Sequence, residues 1–394
     1  MYIKRLLEKV LNRAIDSFPA VLITGPRQSG KTTLLKHALS SKKSSYVSFD
    51  DPLERDFARQ DPHGFLDRFQ NQSVIIDEIQ YLPELLPYLK IRIDQNRQQN
   101  GRWLLTGSSQ LQLMQNVSES LAGRIAILEL LPFSIMELKP KDVFSILWYS
   151  SYPEPALNLE KRDLWLNSYI QTYIERDLRQ LQQIHDLGTF ERFISLTASR
   201  HTQLFNTADI ARDIGISAPT IKSWGKLLEA AYICYFLPPY FKNYGKRITK
   251  TSKLYFIDAA IAAFLTRQPN IEAMLAGAMS GAFFEGLVIS EALKIFTSLG
   301  KKPDIFFWRS HDGLEVDLLI QIKGKLHPVE IKLTATPSLQ HLEPLNRFKK
   351  IIGADAAELG ILVCRTTEKI ILPNSNLALP IQEFSKWLFN ELTK

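Results

Sequence analysis

Apolar positions along the 394-residue chain follow two rhythms. Ile3, Leu6, Leu7, Val10, Leu11 and Ala14 recur every three to four residues, so the chain is expected to open with an amphipathic helix. From Pro19 to about Leu131, short apolar runs alternate with helical stretches. The runs are Val21-Leu22-Ile23, Tyr46-Val47-Ser48-Phe49, Val74-Ile75-Ile76, Trp103-Leu104-Leu105 and Ile125-Ala126-Ile127-Leu128. Runs this short, separated by helical segments, predict a parallel sheet covered on both faces. Ser150–Glu160, SSYPEPALNLE, carries two prolines and two serines and reads as a linker. From Arg162 to Tyr240 the period is helical, and charged strands and helices then resume. The expected division is an α/β domain over 1–150, a helical domain over 160–265 and a small α/β domain over 271–394.

Composition narrows the class. Hydrophobic residues are 45% and charged residues 23%, which excludes a disordered, collagen-like or long coiled-coil chain. Lysine and arginine outnumber aspartate and glutamate by 48 − 41 = 7, a mild excess that permits DNA without requiring it. Cys234 and Cys364 are far apart, which offers neither a disulfide framework nor a zinc knuckle. No apolar run approaches the ~18 residues that span a bilayer. The charges of the first segment are scattered, unlike those of a signal peptide. The expectation is a soluble, cytoplasmic protein with no membrane partner.

Gly25-Pro26-Arg27-Gln28-Ser29-Gly30-Lys31-Thr32 fits GxxxxGK[ST], after an apolar strand and before the helical Thr33-Leu34-Leu35. Such a loop wraps a polyphosphate in backbone N–H groups, at a helix N-terminus of partial positive charge. Lys31 would reach the β- and γ-phosphates of ATP, and the Thr32 hydroxyl would ligate Mg2+. Val74-Ile75-Ile76-Asp77-Glu78 is an apolar strand ending in two carboxylates. Asp77 would help to hold Mg2+, and Glu78 would act as general base toward the attacking water. After the strand ending at Thr106, Ser108 is the candidate sensor of the γ-phosphate, with Thr106 the alternate. Arg124 would stabilise transition-state charge, in cis or from a neighbouring subunit, and Arg27 is a weaker candidate.

Taken with SFDDPLERDFA, IIDEIQYLPELLPYLK, LLTGSSQ, SLAGRIAILELLPFSIMEL, YIERDL, GAFFEGLVISEAL, GLEVDLLI and VEIKL, these motifs span nearly the whole chain. The chain resembles the bacterial and archaeal AAA+-type P-loop ATPases that join an ATPase module to a C-terminal domain of unknown function of the DUF4143 kind. The resemblance implies ATP binding and hydrolysis, and leaves the biological task open.

Asn206 to Leu228, NTADIARDIGISAPTIKSWGKLL, reads as helix, glycine turn and second helix. Thr207 would cap the first helix, Gly215 end it, and Ser217 cap the second, which carries Pro219 in its first turn. Ala211, Ile216, Ile221 and Leu227 would form its core, and the run from Tyr232 would begin a wing. In a DNA-binding version of this winged-helix-like domain, Thr220, Lys222, Ser223 and Lys226 would face a major groove. Lys242, Lys246, Arg247 and Lys250 would meet phosphates.

At the C-terminal end, the strand Leu314–Ile320 carries Asp317. Past a hairpin-like Lys323-Gly324-Lys325, Glu330 and Lys332 share one face of a second strand. Asp317 and Glu330 would share Mg2+ or Mn2+, with Glu285 as a further ligand and Lys332 orienting or deprotonating water. This set resembles the PD-(D/E)xK nuclease superfamily, which implies a restriction-endonuclease-like end. Three functions follow as expectations: an ATPase whose nucleotide state governs DNA engagement, a metal-dependent nuclease gated by the ATPase, or an ATP-driven switch that binds protein partners without DNA. A homo-oligomer is compatible with each.

Overall fold

A computed structural model describes residues 2–107, 117, 119–177, 186–243, 245, 247 and 250–394, with backbone only over 174–177. Two compact units emerge. The first is Met1–Phe133 with Ala230–Tyr232 and Thr297–Lys301, and the second is Ser134–Glu229, Ile233–Phe296 and Lys302–Lys394.

In the first unit, β1 (Ala20–Thr24), β2 (Ser44–Ser48), β3 (Ser73–Asp77), β4 (Trp103–Gly107) and β5 (Ile125–Glu129) form one sheet in the order β2-β3-β4-β1-β5. Every pairing is parallel, and each of the five apolar runs supplies a strand. Alternate side chains serve opposite layers, as a two-sided parallel sheet requires. Leu22, Ile76 and Leu105 pack with Leu86, Leu89 and Ile93 of the helix Leu86–Gln95. Val21, Ile23 and Leu104 pack with Leu34 and Leu35 of the helix Lys31–Ala38 and with Leu7 and Leu11. The opening helix spans Glu8–Ser17, so Ile3 and Leu6 precede it. Because all strands run the same way, Thr24, Asp77 and Gly107 reach the same edge of the sheet, where ligands bind in open α/β folds.

In the second unit, Ser150–Glu160 is not a linker. Ser150, Ser151 and Tyr152 are buried. The Asp258 carboxylate accepts hydrogen bonds from the Ser150 hydroxyl (3.0 Å) and from the N–H (2.7 Å) and hydroxyl (2.6 Å) of Ser151. Pro153 opens the short helix Pro153–Leu157, a position where its missing N–H costs nothing. The prolines and serines that suggested a flexible stretch are helix-start and capping residues.

The helix Thr207–Ile214 is capped by Asn206 rather than Thr207. The Asn206 Oδ1 accepts from the N–H groups of Ala208 (3.1 Å) and Asp209 (3.3 Å). Gly215 ends the helix in the left-handed region at φ 83°. The second helix, Ala218–Ala230, buries Ile221, Trp224, Leu227 and Leu228, and Trp224 packs against Phe190 and Phe193. Ile216 is only half-buried. β6 (Cys234–Leu237) and β7 (Lys253–Phe256) follow as an antiparallel ribbon.

The last part is a six-stranded mixed sheet in the order β12-β13-β11-β10-β9-β8, made of β8 (Ile305–Arg309), β9 (Glu315–Ile322), β10 (Lys325–Ile331), β11 (Gly360–Val363), β12 (Ile370–Leu372) and β13 (Asn376–Leu379). β9 and β10 form a hairpin whose turn residues, Lys323 and Gly324, both take positive φ, as a two-residue turn demands. No described helix is long and apolar enough to cross a membrane.

Candidate functional site

The loop between β1 and the helix Lys31–Ala38 is shaped by its glycines. Gly25 takes φ 144°, and a Cβ there would lie 2.2 Å from the Leu130 carbonyl oxygen. Gln28 and Gly30 take φ 62° and 93°. The first bond within the helix runs from the Leu34 N–H to the Gly30 carbonyl (2.9 Å), which leaves the N–H groups of Lys31, Thr32 and Thr33 without helical acceptors. The Ser29 hydroxyl is buried without a hydrogen-bond partner among the described residues. Lys31 is buried, and its ammonium donates to the carbonyls of Gly25 (3.1 Å) and Pro26 (2.8 Å). Burial pulls its pKa down to about 8, although Glu78 and Asp77 oppose the shift. A cradle of N–H donors, one buried cation and an unpaired hydroxyl fits a polyphosphate.

Asp77 is the hub of this edge. Its Oδ1 accepts from the hydroxyls of Thr32 (2.7 Å) and Thr106, and its Oδ2 accepts from the Tyr46 hydroxyl (2.9 Å). Burial and the hydrogen bond to Asp77 push the Tyr46 phenol up to about 12. Adjacent hydroxyl and carboxylate oxygens are the donors that Mg2+ prefers. Glu78 takes the left-handed region at φ 57°, its N–H donates to the Thr106 hydroxyl (3.0 Å), and its carboxylate accepts from the Gln80 side chain. Thr106, the alternate sensor, therefore joins both carboxylate residues. Ser108 lies outside the described residues.

Arg27 donates to the Tyr81 hydroxyl (2.6 Å). Arg124 lies elsewhere. Its carbonyl accepts from the Ala20 N–H at the start of β1, and its guanidinium grips Asp94 through two bonds of 2.6 and 2.9 Å. β1 carries the loop at its other end, four residues or roughly 13 Å further along at strand rise. Arg124 therefore does not meet the loop of its own chain. Neither Arg5 nor Tyr46 belongs to the expected set. Arg5 is buried and donates to the carbonyls of Ser29 (2.9 Å) and Leu131 (2.7 Å), with its guanidinium over the Phe133 ring. An arginine beside the apolar face of the opening helix was the one available signal. Tyr46, inside an otherwise ordinary strand, gave none.

In the second unit the acidic residues converge on lysines. The Lys332 ammonium lies 2.7 Å from Glu330 Oε1 and 3.3 Å from Asp317 Oδ2, and Asp317 also accepts from the Ile331 N–H (2.9 Å). Glu330 Oε2 is buried without a partner among the described residues. Burial, then the charge of Asp317, pushes the Glu330 carboxyl well up. Glu285 accepts from the Tyr255 hydroxyl (2.5 Å) and from Lys253 (3.4 Å), and burial raises it as well. Lys253, which also pairs with Glu315, is a buried cation of this cluster that no motif announced. Burial alone would lower Lys332, but Asp317 and Glu330 outweigh it and raise the pKa. A lysine held charged in this way orients other groups and does not accept a proton. Among the described residues no three acidic, histidine or cysteine side chains stand together as a metal site. The Lys332 ammonium bridges Asp317 and Glu330, so the expected shared Mg2+ or Mn2+ is not supported by this arrangement.

Known proteins match each part. Residues 17–139 match the model of an AAA domain, residues 140–272 that of a domain of unknown function (DUF8612), and residues 280–384 that of another (DUF4143). Uncharacterized proteins of Mycobacterium tuberculosis and Mycobacterium bovis are each 32% identical over 333 residues, which is 84% of this chain and 74% of theirs. An uncharacterized protein of Methanocaldococcus jannaschii is 21% identical over 421 residues, covering 96% of this chain and 91% of its own. Among solved structures, a Walker-type ATPase of Pyrococcus abyssi is 15% identical with a TM-score of 0.43, covering 66% of this chain and 94% of that one. The RuvB Holliday junction branch migration motor of Thermotoga maritima is 20% identical with a TM-score of 0.31, covering 59% and 89%. The chain belongs to the family of P-loop ATPases that join an AAA domain to a C-terminal DUF4143 domain.

Proposed function

We propose that the chain binds and hydrolyses ATP with Mg2+ and couples the nucleotide's state to the engagement of DNA. The observation that carries the ATPase reading is the junction at Asp77, where Thr32 of the loop helix and Thr106 of β4 meet one carboxylate. Lys31 and the loop N–H groups bind the phosphates, and Thr32 and Asp77 hold the metal ion. When bound there, Mg2+ would supply charge neutralisation to the phosphates. Glu78 takes the proton of the attacking water, and Gln80 and Thr106 set where that carboxylate stands. Arg124 acts from a neighbouring subunit, in keeping with its place at the opposite end of β1, and this calls for a homo-oligomer. DNA engagement is supported by the helix-turn-helix and the lysines on its second helix.

Steady-state ATP hydrolysis at low salt, with and without single-stranded, duplex and branched DNA, tests this. Lys31→Ala should abolish nucleotide binding. Glu78→Gln should still bind ATP but turn it over ~100-fold or more slowly, the scale of a lost general base. Wild-type turnover in Glu78→Gln would overturn that role. Turnover indifferent to every DNA would favour a switch that binds protein partners instead.

A second reading, DNA cleavage by the C-terminal part, rests on the convergence of Glu285, Asp317 and Glu330 around Lys253 and Lys332. Incubating DNA with Mg2+ or Mn2+ tests it. No cutting, or cutting that survives Asp317→Ala and Lys332→Ala, removes this reading.

A further inference from the structure

Lys222 and Lys226, the two lysines expected to face a duplex, look into a concavity. With Arg247, Lys250 and Lys302 they line a hollow of about 960 Å3 between the helix Ala218–Ala230, the β6–β7 ribbon and the start of β8. Among the described residues only two carboxylates line it, Glu229 and Asp304, against those five cations. Desolvation by neighbouring atoms raises the pKa of both carboxyls. Lys222, Lys250 and Lys302 are exposed and make no ion pair with any described residue. Cations that outnumber the carboxylates around one hollow five to two repel one another, and an anion relieves that repulsion.

The hollow also has an aromatic wall. Phe205, Tyr235 and Phe236 line it, and Phe205 meets Phe236 edge to face with centroids 4.9 Å apart. A cationic groove with exposed ring surfaces is how single strands are held: phosphates pair with the cations and unstacked bases lie on the rings. A duplex keeps its bases paired and stacked and offers none to these rings.

We infer that this hollow binds a single strand of nucleic acid, with its phosphates on Lys222, Lys250 and Lys302 and its bases against Phe205 and Tyr235. The inference rests on the DNA-engagement part of the proposed function and assigns it a strand and a place. Thr251 lines both this hollow and a second one of about 470 Å3 whose wall includes Lys253 and Glu315. Lys253 also pairs with Glu285.

Fluorescence anisotropy with the full chain tests this, using labelled oligo-dT, oligo-U and a hairpin duplex of equal length over a series of salt concentrations. One or both single strands should bind more tightly than the duplex. Lys222→Gln/Lys302→Gln, at exposed positions, should lower the slope of log Kd against log salt by about 0.7 per lysine. Phe205→Ala should weaken single-strand binding about tenfold or more. Basal ATP turnover should be unchanged in the double lysine variant. Equal or tighter duplex binding, an unchanged salt slope in that variant, or displacement of the oligomer by a mononucleotide at similar concentration would overturn the inference. If the DNA concentration that half-stimulates ATP hydrolysis is the same in the lysine variant as in wild type, the groove is wrong and the DNA-coupled ATPase stands. If no nucleic acid binds or stimulates the wild type, both fall.

Discussion

Gly286 packs its bare α-carbon against the imidazole of His201: a Cβ there would lie 2.0 Å from Nε2. His201 cannot yield easily, because it is fully buried and its Nδ1 accepts the Phe256 N–H at 3.1 Å. Gly286 directly follows Glu285, so the contact also fixes where that carboxylate stands. Gly286→Ala is expected to destabilise the protein by about 3 kcal/mol, the upper range for overpacking. His201→Ala in the same chain should recover part of that loss. Denaturant melts of wild type and the two variants give the answer, and a Gly286→Ala protein as stable as wild type would contradict it.

The same histidine makes a pH signature. Burial pulls its pKa from 6.5 to about 3, so the folded state holds it neutral. Below pH 6.5 the unfolded chain takes up a proton that the folded chain refuses. The stability His201 contributes is therefore full above pH 6.5 and lost as pH falls toward 3. The slope is about 1.4 kcal/mol per unit for one proton. His201→Asn, which can still accept from Phe256, should flatten this part of the stability curve. Parallel wild-type and variant curves between pH 6 and 4 would sink the assignment.

Lys31 works in the opposite range. With its pKa near 8 in the free protein, the ammonium begins to lose the charge that attracts phosphate above that pH. Affinity for ATP should be level up to about pH 7. It should then fall with a limiting slope of about tenfold per unit, as loss of one proton requires. Titration with a fluorescent ATP analogue measures this, and undiminished affinity at pH 9.5 would show that Lys31 does not carry the phosphate contact.

Lys332 neutralises a buried Glu330. Replacing it by methionine leaves that carboxylate without its cation, and should cost about 2 kcal/mol. This is less than the loss of a fully buried partner, because the Lys332 side chain is 41% exposed. Adding Glu330→Gln should restore most of it. If the single variant is neutral, the cluster does not depend on this pair.

The sheet and the loop were legible because each rests on a local rule. Buried parallel strands must be apolar through their middles, as β1 and β3 are, and a phosphate loop must place glycines where φ turns positive, as at Gly25 and Gly30. Asp77 and Glu78 followed from strand geometry. Residues whose roles depend on distant partners were not legible. Tyr46 meets Asp77 across 31 positions, Arg5 meets Leu131 across 126, and Lys253 meets Glu285 across 32. The mistaken linker has the same origin, since Ser150 and Ser151 look loop-like until Asp258, over a hundred residues later, accepts hydrogen bonds from their hydroxyls. Arg124 was placed by its neighbour in sequence, but a parallel strand sends its two ends to opposite edges of the sheet.

Arg5 changes where the ATPase module starts. The AAA match begins at residue 17, yet one side chain twelve positions earlier ties the Ser29 carbonyl of the loop to the Leu131 carbonyl beyond β5. A fragment trimmed to the matched span would keep every letter of the phosphate motif and lose its fastening. A tag or partner that pulls the opening segment away would loosen the loop from behind, without touching a residue that meets the nucleotide.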